Sequence, residues 1–222
     1  MSIDGVPSNH LLAMTLFMNS NIHITHQKMH PSVPGRNLVI YEKIVSQNGK
    51  LSPRGLFYYA RELYESQQYD EAALYFGKFL KTKKGWLEDN IRACNDLATC
   101  YKVKNDKKNM IKSLLKSFEY DTPRAEICCQ LGDYYFEQNE YEKAIVWYKI
   151  AADLKEPADS WGFILHDYWG FIPNLQLCVC YDRLGKLDEA IKYNEKAAEY
   201  KPHDAAILYN RHYFQSVLNP KI

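Results

Sequence analysis

The chain has 222 residues, and 28 Lys and Arg against 27 Asp and Glu leave a formal net charge of +1 at pH 7. That balance excludes a polybasic nucleic-acid binder and an acidic tail-type protein. Hydrophobic residues at 46% and charged residues at 25% fit a globular chain and not a disordered one. The length allows one domain or two small ones.

The first apolar run, Leu11 to Met18, is broken by Thr15. It is shorter than the roughly 20 residues a bilayer needs, and the front lacks the basic region of a signal peptide. The expectation is no membrane span and a cytoplasmic location. Residues 21–26, Asn-Ile-His-Ile-Thr-His, alternate at period two and predict a strand. A lone strand has no sheet to join. Residues 1–30 therefore read as the remnant of a preceding domain, or as an edge that docks on another chain. His23, His26 and His30 cluster here, but residues 23 and 26 would face opposite sides of a strand, so no metal site is assigned.

From residue 31 onward the pattern is helical. Arg36 to Gln47, with Leu38, Ile40, Tyr41, Ile44 and Val45 apolar, predicts a leading helix that Asn48-Gly49 ends. Then a motif recurs. Tyr69-Asp70-Glu71-Ala72 precedes Phe76 and Phe79, Tyr141-Glu142-Lys143-Ala144 precedes Tyr148 and Ala151, and Leu187-Asp188-Glu189-Ala190 precedes Asn194 and Ala197. Upstream of each lies a second pattern: Tyr59-Ala60 with Leu63, Leu131-Gly132 with Tyr135, and Leu177-Cys178 with Tyr181. A weaker copy runs from Leu97-Ala98 and Tyr101 to Met110, Leu114 and Ser117. Met110 to Ala144 spans 34 residues, Ala72 to Met110 spans 38, and Ala144 to Ala190 spans 46. A helix–turn–helix period of 34 is that of the tetratricopeptide repeat, which this pattern resembles closely over about residues 52–202.

The small residues let two helices cross closely, and the aromatics fill the gap to the next unit. One unit cannot bury its apolar face alone, so the units must stack. Ser52-Pro53 and Thr122-Pro123 read as N-caps with a first helical turn, and Asn139 with Glu142 reads as a capping box. Phe79, Met110 and Ser117 stand where small residues are usual, which predicts wider helix packing there. A capping helix is expected over 204–218. The predicted fold is all-α: a right-handed α-solenoid of four helix pairs, with leading and capping helices and a short N-terminal non-repeat segment.

The inner groove of such a solenoid is lined by the first helix of each pair. By register its candidate lining is Arg54, Phe57, Arg61, Tyr64, Arg92, Asn95, Lys102, Asp133, Phe136, Asp182 and Arg183. The Arg-rich first half predicts an anionic or peptide-carboxylate ligand. A twelve-residue excess between the third and fourth units holds a second candidate: Trp161, Phe163, His166, Asp167, Tyr168, Trp169 and Phe171. Flat aromatics beside Asp and His can contact a sugar, anchor a partner or mediate self-association; the alternative is that the insertion packs back on its own solenoid. Cys94, Cys100, Cys128, Cys129, Cys178 and Cys180 sit inside helical patterns without zinc spacing and read as buried thiols. Nucleophile elbows, phosphate loops and Asp-x-Asp are missing from the sequence, so no catalytic residue, metal or cofactor is assigned.

Several stretches look like more than a generic repeat. Residues 36–43 (RNLVIYEK), 51–64 (LSPRGLFYYARELY) and 117–126 (SFEYDTPRAE), with the aromatic insertion, resemble the C-terminal repeat region of bacterial family-2 glycosyltransferases. In that family a GT-A-type catalytic domain precedes a tetratricopeptide region. The resemblance runs from about residue 20 and makes residues 21–26 similar to the last strand of the catalytic domain. It implies a non-catalytic interaction module that docks a catalytic domain or positions a protein or saccharide acceptor. The rival reading is a free-standing adaptor that binds a peptide in its groove.

Overall fold

A computed structural model describes residues 35–47, 49–156 and 165–219. The predicted strand at residues 21–26 and the three N-terminal histidines lie outside the described residues, as do Trp161 and Phe163. The described residues form ten α-helices: α1 (Arg36–Ser46), α2 (Pro53–Glu65), α3 (Tyr69–Lys81), α4 (Leu87–Val103), α5 (Lys107–Lys116), α6 (Ala125–Phe136), α7 (Tyr141–Asp153), α8 (Phe171–Arg183), α9 (Leu187–Ala198) and α10 (Ala205–Leu218). Consecutive helices pair as α2/α3, α4/α5, α6/α7 and α8/α9, and the pairs stack into an α-solenoid.

Caps set several helix starts. The Ser52 hydroxyl accepts from the Gly55 N–H at 3.1 Å, with Pro53 in the first turn of α2. Asp106 accepts from the Asn109 N–H at 3.1 Å to start α5, and Asp204 from the Ala206 N–H at 2.9 Å to start α10. Two expected caps do not form. Thr122 and Pro123 lie ahead of α6, whose N-cap is Arg124. Asn139 takes a left-handed conformation, and its side chain accepts from the Tyr141 hydroxyl at 2.7 Å instead of capping α7.

That left-handed residue recurs. Gln67, Asn105, Asn139 and Gly185 all have φ between 56° and 69°. Each stands two residues before the second helix of its pair, so one turn geometry builds all four hairpins. Gly and Asn visit this region at low cost, whereas Gln67 does so at about 1–2 kcal/mol. Gln67→Gly is expected to raise stability by about 0.5–1 kcal/mol, read as a higher urea midpoint at unchanged slope.

Packing follows the small-residue register. Ala60, Ala98, Gly132 and Cys178 are buried where first helices meet second helices, as are Ala72, Ala144 and Ala190. At Gly132 the approach is closest: a Cβ there would stand 2.6 Å from the Tyr148 ring. Phe79 and Met110 are buried too, Phe79 with its ring 5.2 Å from that of Phe57. Extra bulk at Phe79 is therefore absorbed in the first pair's own core.

The predicted looseness appears at one place, between the second and third pairs. The α3/α4 and α7/α8 junctions pack extensively, but α5/α6 makes little contact. Helix α5 ends at Lys116, a 3₁₀ turn covers Ser117–Glu119, and Ser117 is buried with its hydroxyl donating to the Leu114 carbonyl at 2.7 Å. Three polar links span α4 and α6 instead. Arg124 reaches Glu88 at 2.9 Å, Gln130 donates to Asn95, and Lys102 reaches Glu137 at 2.8 Å. Glu88, Asn95 and Lys102 are seven residues apart, two helical turns, so they fall on one face of α4. A small apolar cluster of Ala98, Met110, Leu114, Ile127 and Leu131 lies behind them.

Helix α10 covers α9 with Ile207 and Phe214 but leaves Leu208, Tyr209, Tyr213, Val217 and Leu218 exposed. Its outer face is thus more apolar than a solubilising end cap requires.

Candidate functional site

First helices touch one another, α2 with α4 and α6 with α8, whereas second helices make no comparable contact. The first helices therefore line the concave face. The widened α4/α6 junction opens a cleft of about 190 Å³ in that face, floored by α2, α4 and α6. Of the residues expected in the groove, it gathers Phe57, Arg61, Arg92 and Asn95. Phe57 is 2% exposed and belongs to the floor, its ring packed on Phe76 and Phe79. Arg54 stands beside the cleft with its guanidinium 5.5 Å from the Tyr58 ring centre. Tyr64 packs edge-on against Tyr69 and Phe76.

The other groove residues lie elsewhere. Lys102 is tied to Glu137 at the end of α4. Asp133 accepts from the Tyr148 hydroxyl at 2.6 Å, a hydrogen bond across the α6/α7 hairpin, and burial pushes its carboxyl above the usual range. Phe136 packs on Tyr141, and Asp182 accepts from the Tyr213 hydroxyl at 3.2 Å; Arg183 is exposed at the end of α8.

Residues that the register did not supply complete the cleft: Tyr58, Trp86, Glu88, Asp89, Ile91, Glu126 and Leu165. Trp86 precedes α4 and is half exposed. An exposed Trp at a helix start was the available signal, and the repeat register passed over it.

The charges differ from the Arg-rich expectation. Arg61 is paired with Glu65 at 2.9 Å, and Arg92 forks onto both oxygens of Asp96 at 2.9 and 3.0 Å. Each arginine is thus paired on its own helix. Arg124 is buried and held by Glu88 and Asp121 at 2.9 and 2.8 Å. Arg54, Asp89 and Glu126 make no ion pair among the described residues. Burial pushes the Asp89 carboxyl up, although Arg54 and Arg61 act against it. Burial also pushes Glu126 up, and its Oε2 is buried without a hydrogen-bond partner among the described residues.

The insertion's described end packs back on the solenoid. Tyr168 and Trp169 pack, partly buried, against the core of the second half, and Phe171 is buried against Ala197, Ala198 and Ile207. His166 contacts Glu156 at 3.0 Å, and Asp167 takes Lys201 at 2.6 Å. The Asn174 amide closes the turn onto the Gly170 carbonyl at 2.7 Å. Leu165 reaches the cleft wall, so the insertion borders the concave site.

All six cysteines are free and buried. Burial pushes Cys94, Cys100, Cys128, Cys178 and Cys180 up to about 12, and Cys129 higher still. They act as small hydrophobes. Folded thiols stay protonated where unfolded thiols, near pKa 8.5, ionise. Their contribution to stability is thus full below that value and is lost as pH rises from there towards about 12. The expected result is negligible reaction with Ellman's reagent at pH 7.5 in the fold, and six reactive thiols in urea. Among the described residues, no cluster of three His, Cys, Asp or Glu could hold a metal, and no helix is long and apolar enough to cross a membrane.

A sequence profile of the tetratricopeptide repeat matches residues 125–157 and 175–204, the third and fourth helix pairs. The chain carries tetratricopeptide repeats. Its first two pairs keep the hairpin geometry with a more divergent sequence. Similar solved structures bear this out. The C-terminal part of a repeat-containing protein from Cytophaga hutchinsonii matches with a TM-score of 0.67 and 16% identity, over 95% of this chain and 71% of that one. YrrB, described as a tetratricopeptide protein with an unusual peptide-binding site, matches at 0.58 and 16%, over 80% and 82%. MamA matches at 0.56 and 21%, over 73% and 79%. At these identities the likeness is one of fold. No curated protein matches the chain in sequence.

Proposed function

We propose that the chain is a protein-interaction module that takes a peptide segment of a partner on its concave face, centred on the cleft between α2, α4 and α6. The observation that carries this is the cleft itself. It combines a half-exposed Trp86, polar groups from three first helices and an opening made by the widened α4/α6 junction. An exposed aromatic beside a polar recess is the usual make-up of a binding anchor.

The test is selection of a displayed random-peptide library against the full chain. Enriched peptides should bind Trp86→Ala at least about tenfold more weakly, the loss expected of an anchoring Trp. They should bind a convex-face variant, Val146→Ala, unchanged. Equal binding to Trp86→Ala would remove the cleft from the account.

A more specific setting is a module of a glycosyltransferase-related protein, docking a catalytic domain or positioning a protein or saccharide acceptor. Its support is the sequence resemblance of residues 36–43, 51–64 and 117–126. An antibody to this chain, used on lysate of the source cells, tests it. A species much larger than 222 residues would support a linked catalytic domain; a species of 222 residues would favour a free-standing adaptor.

A further inference from the structure

The near-neutral total conceals an uneven distribution of charge. Residues 78–116 hold eleven Lys and Arg against four Asp and Glu, in a chain of net charge +1. The one arginine and three of the lysines are paired: Arg92 with Asp96, Lys102 with Glu137, Lys104 with Asp70 and Lys116 with Glu119. Lys81, Lys83, Lys84, Lys107, Lys108 and Lys112 are exposed and hold no carboxylate among the described residues. They lie on α3, on α5 and in the turn after α3, and α3 and α5 are second helices, on the side away from the concave cleft. Lys83 lies near the end of α5, where behind Lys116 it helps to hold the Glu119 carboxyl below the usual range.

On α5 the charges are ordered. Lys108, Lys112 and Lys116 follow at intervals of four, one stripe with a step of about 6 Å. Ile111 and Leu115 form the adjoining row, and Leu115 is 43% exposed. With Glu119 these five residues line a shallow recess of about 410 Å³, whose lining comes from α5 and the 3₁₀ turn after it alone. The face therefore offers an apolar row with a lysine row beside it.

We propose that the outer face of α5 docks an acidic amphipathic helix of a partner protein, its carboxylates on Lys108 and Lys112 and its apolar row on Ile111 and Leu115. Residues four apart on the incoming helix repeat at the same step of about 6 Å, so both rows are matched at once. The opposite charges fix the register and reject a basic helix. A nucleic acid would leave the apolar row uncovered, and α5 carries no arginine or aromatic side chain to stack on a base. One exposed leucine is too little apolar surface to enter a bilayer. This surface lies apart from the cleft and does not rest on the peptide-binding reading.

The test is a displayed library of helical peptides, randomised on one face, selected against the full chain in its Trp86→Ala form so that the concave anchor plays no part. Enriched peptides should carry Asp or Glu four residues apart beside an apolar row, and should bind the parent chain equally well. Lys108→Gln and Lys112→Gln together should weaken them about tenfold, as two exposed ion pairs allow, and Leu115→Ser should weaken them as well. Added salt should weaken them further. Enrichment of neutral or basic peptides, binding indifferent to the two lysine changes, or an empty selection would overturn the proposal. Tighter binding of oligothymidylate or of phosphatidylserine vesicles than of the best acidic helix would also overturn it, in favour of a general polyanion surface.

Discussion

Arg124→Ala is expected to lower the unfolding free energy by about 3 kcal/mol, the cost of breaking a largely buried ion pair. Arg124 is buried and ties Glu88 at the start of α4 to Asp121 ahead of α6. Removing it leaves two carboxylates facing each other with no cation between them. Glu88 and Asp121 keep some solvent access, which holds the expected cost near the lower end of the range. The position matters more than the amount. Apolar packing at the α5/α6 junction is thin, so the polar links carry much of the coupling between the first two pairs and the last two. A repeat array is stable through its nearest-neighbour interfaces. Urea unfolding followed by far-UV circular dichroism should therefore split from one transition into two in Arg124→Ala. Arg211→Ala, which removes an exposed pair with Glu195, should change stability by less than about 1 kcal/mol and keep a single transition.

Tyr148→Ala should cost more, about 3–5 kcal/mol. The ring is fully buried and lies against the Gly132 backbone, at the point where α6 and α7 approach most closely. Alanine would leave a void that the α6/α7 hairpin can close only by moving two helices. Tyr148→Phe separates packing from hydrogen bonding. It keeps the ring and removes the 2.6 Å donor to Asp133, so a loss of about 1–3 kcal/mol is expected. The check is the urea midpoint of each variant against the parent. Equal losses in the two variants would mean that the hydroxyl, not the ring, holds the hairpin.

The fold was legible because a solenoid is specified by local spacing. Ala60, Ala98, Gly132 and Cys178 on one side, and Ala72, Ala144 and Ala190 on the other, are small residues buried at the helix crossings. Caps were less legible. Asn139 looked like a capping residue, yet the hairpin needs a left-handed residue at that place, and the backbone requirement won. Similarly, Thr122-Pro123 carries helix-start chemistry, but Arg124 is held by Glu88 and Asp121 and sets the start of α6.

The candidate site was half legible. Register supplied Phe57, Arg61, Arg92 and Asn95, because first helices face the groove by periodicity alone. It did not supply Trp86, which sits outside a helix, or Glu126 and Leu165, which reach the cleft only because α4 and α6 stand apart. Counting arginines does not give the charge of the cleft, for a related reason. A sequence gives the number of cations, whereas the field in the cleft depends on which carboxylate each one holds. In the insertion, Tyr168, Trp169 and Phe171 read as contact residues by composition, whereas Phe171 is buried and Tyr168 and Trp169 pack partly buried against the core.

The most direct measurement is where a bound peptide lies on the full chain. A library-selected peptide carrying a benzophenone at successive positions would be photo-cross-linked to the protein and the sites mapped by mass spectrometry. Cross-links are expected on α2, α4 and α6, concentrated around Trp86, Asp89 and Glu126. Cross-links confined to α3, α5 and α7 on the convex side, or to the exposed face of α10, would contradict that placement.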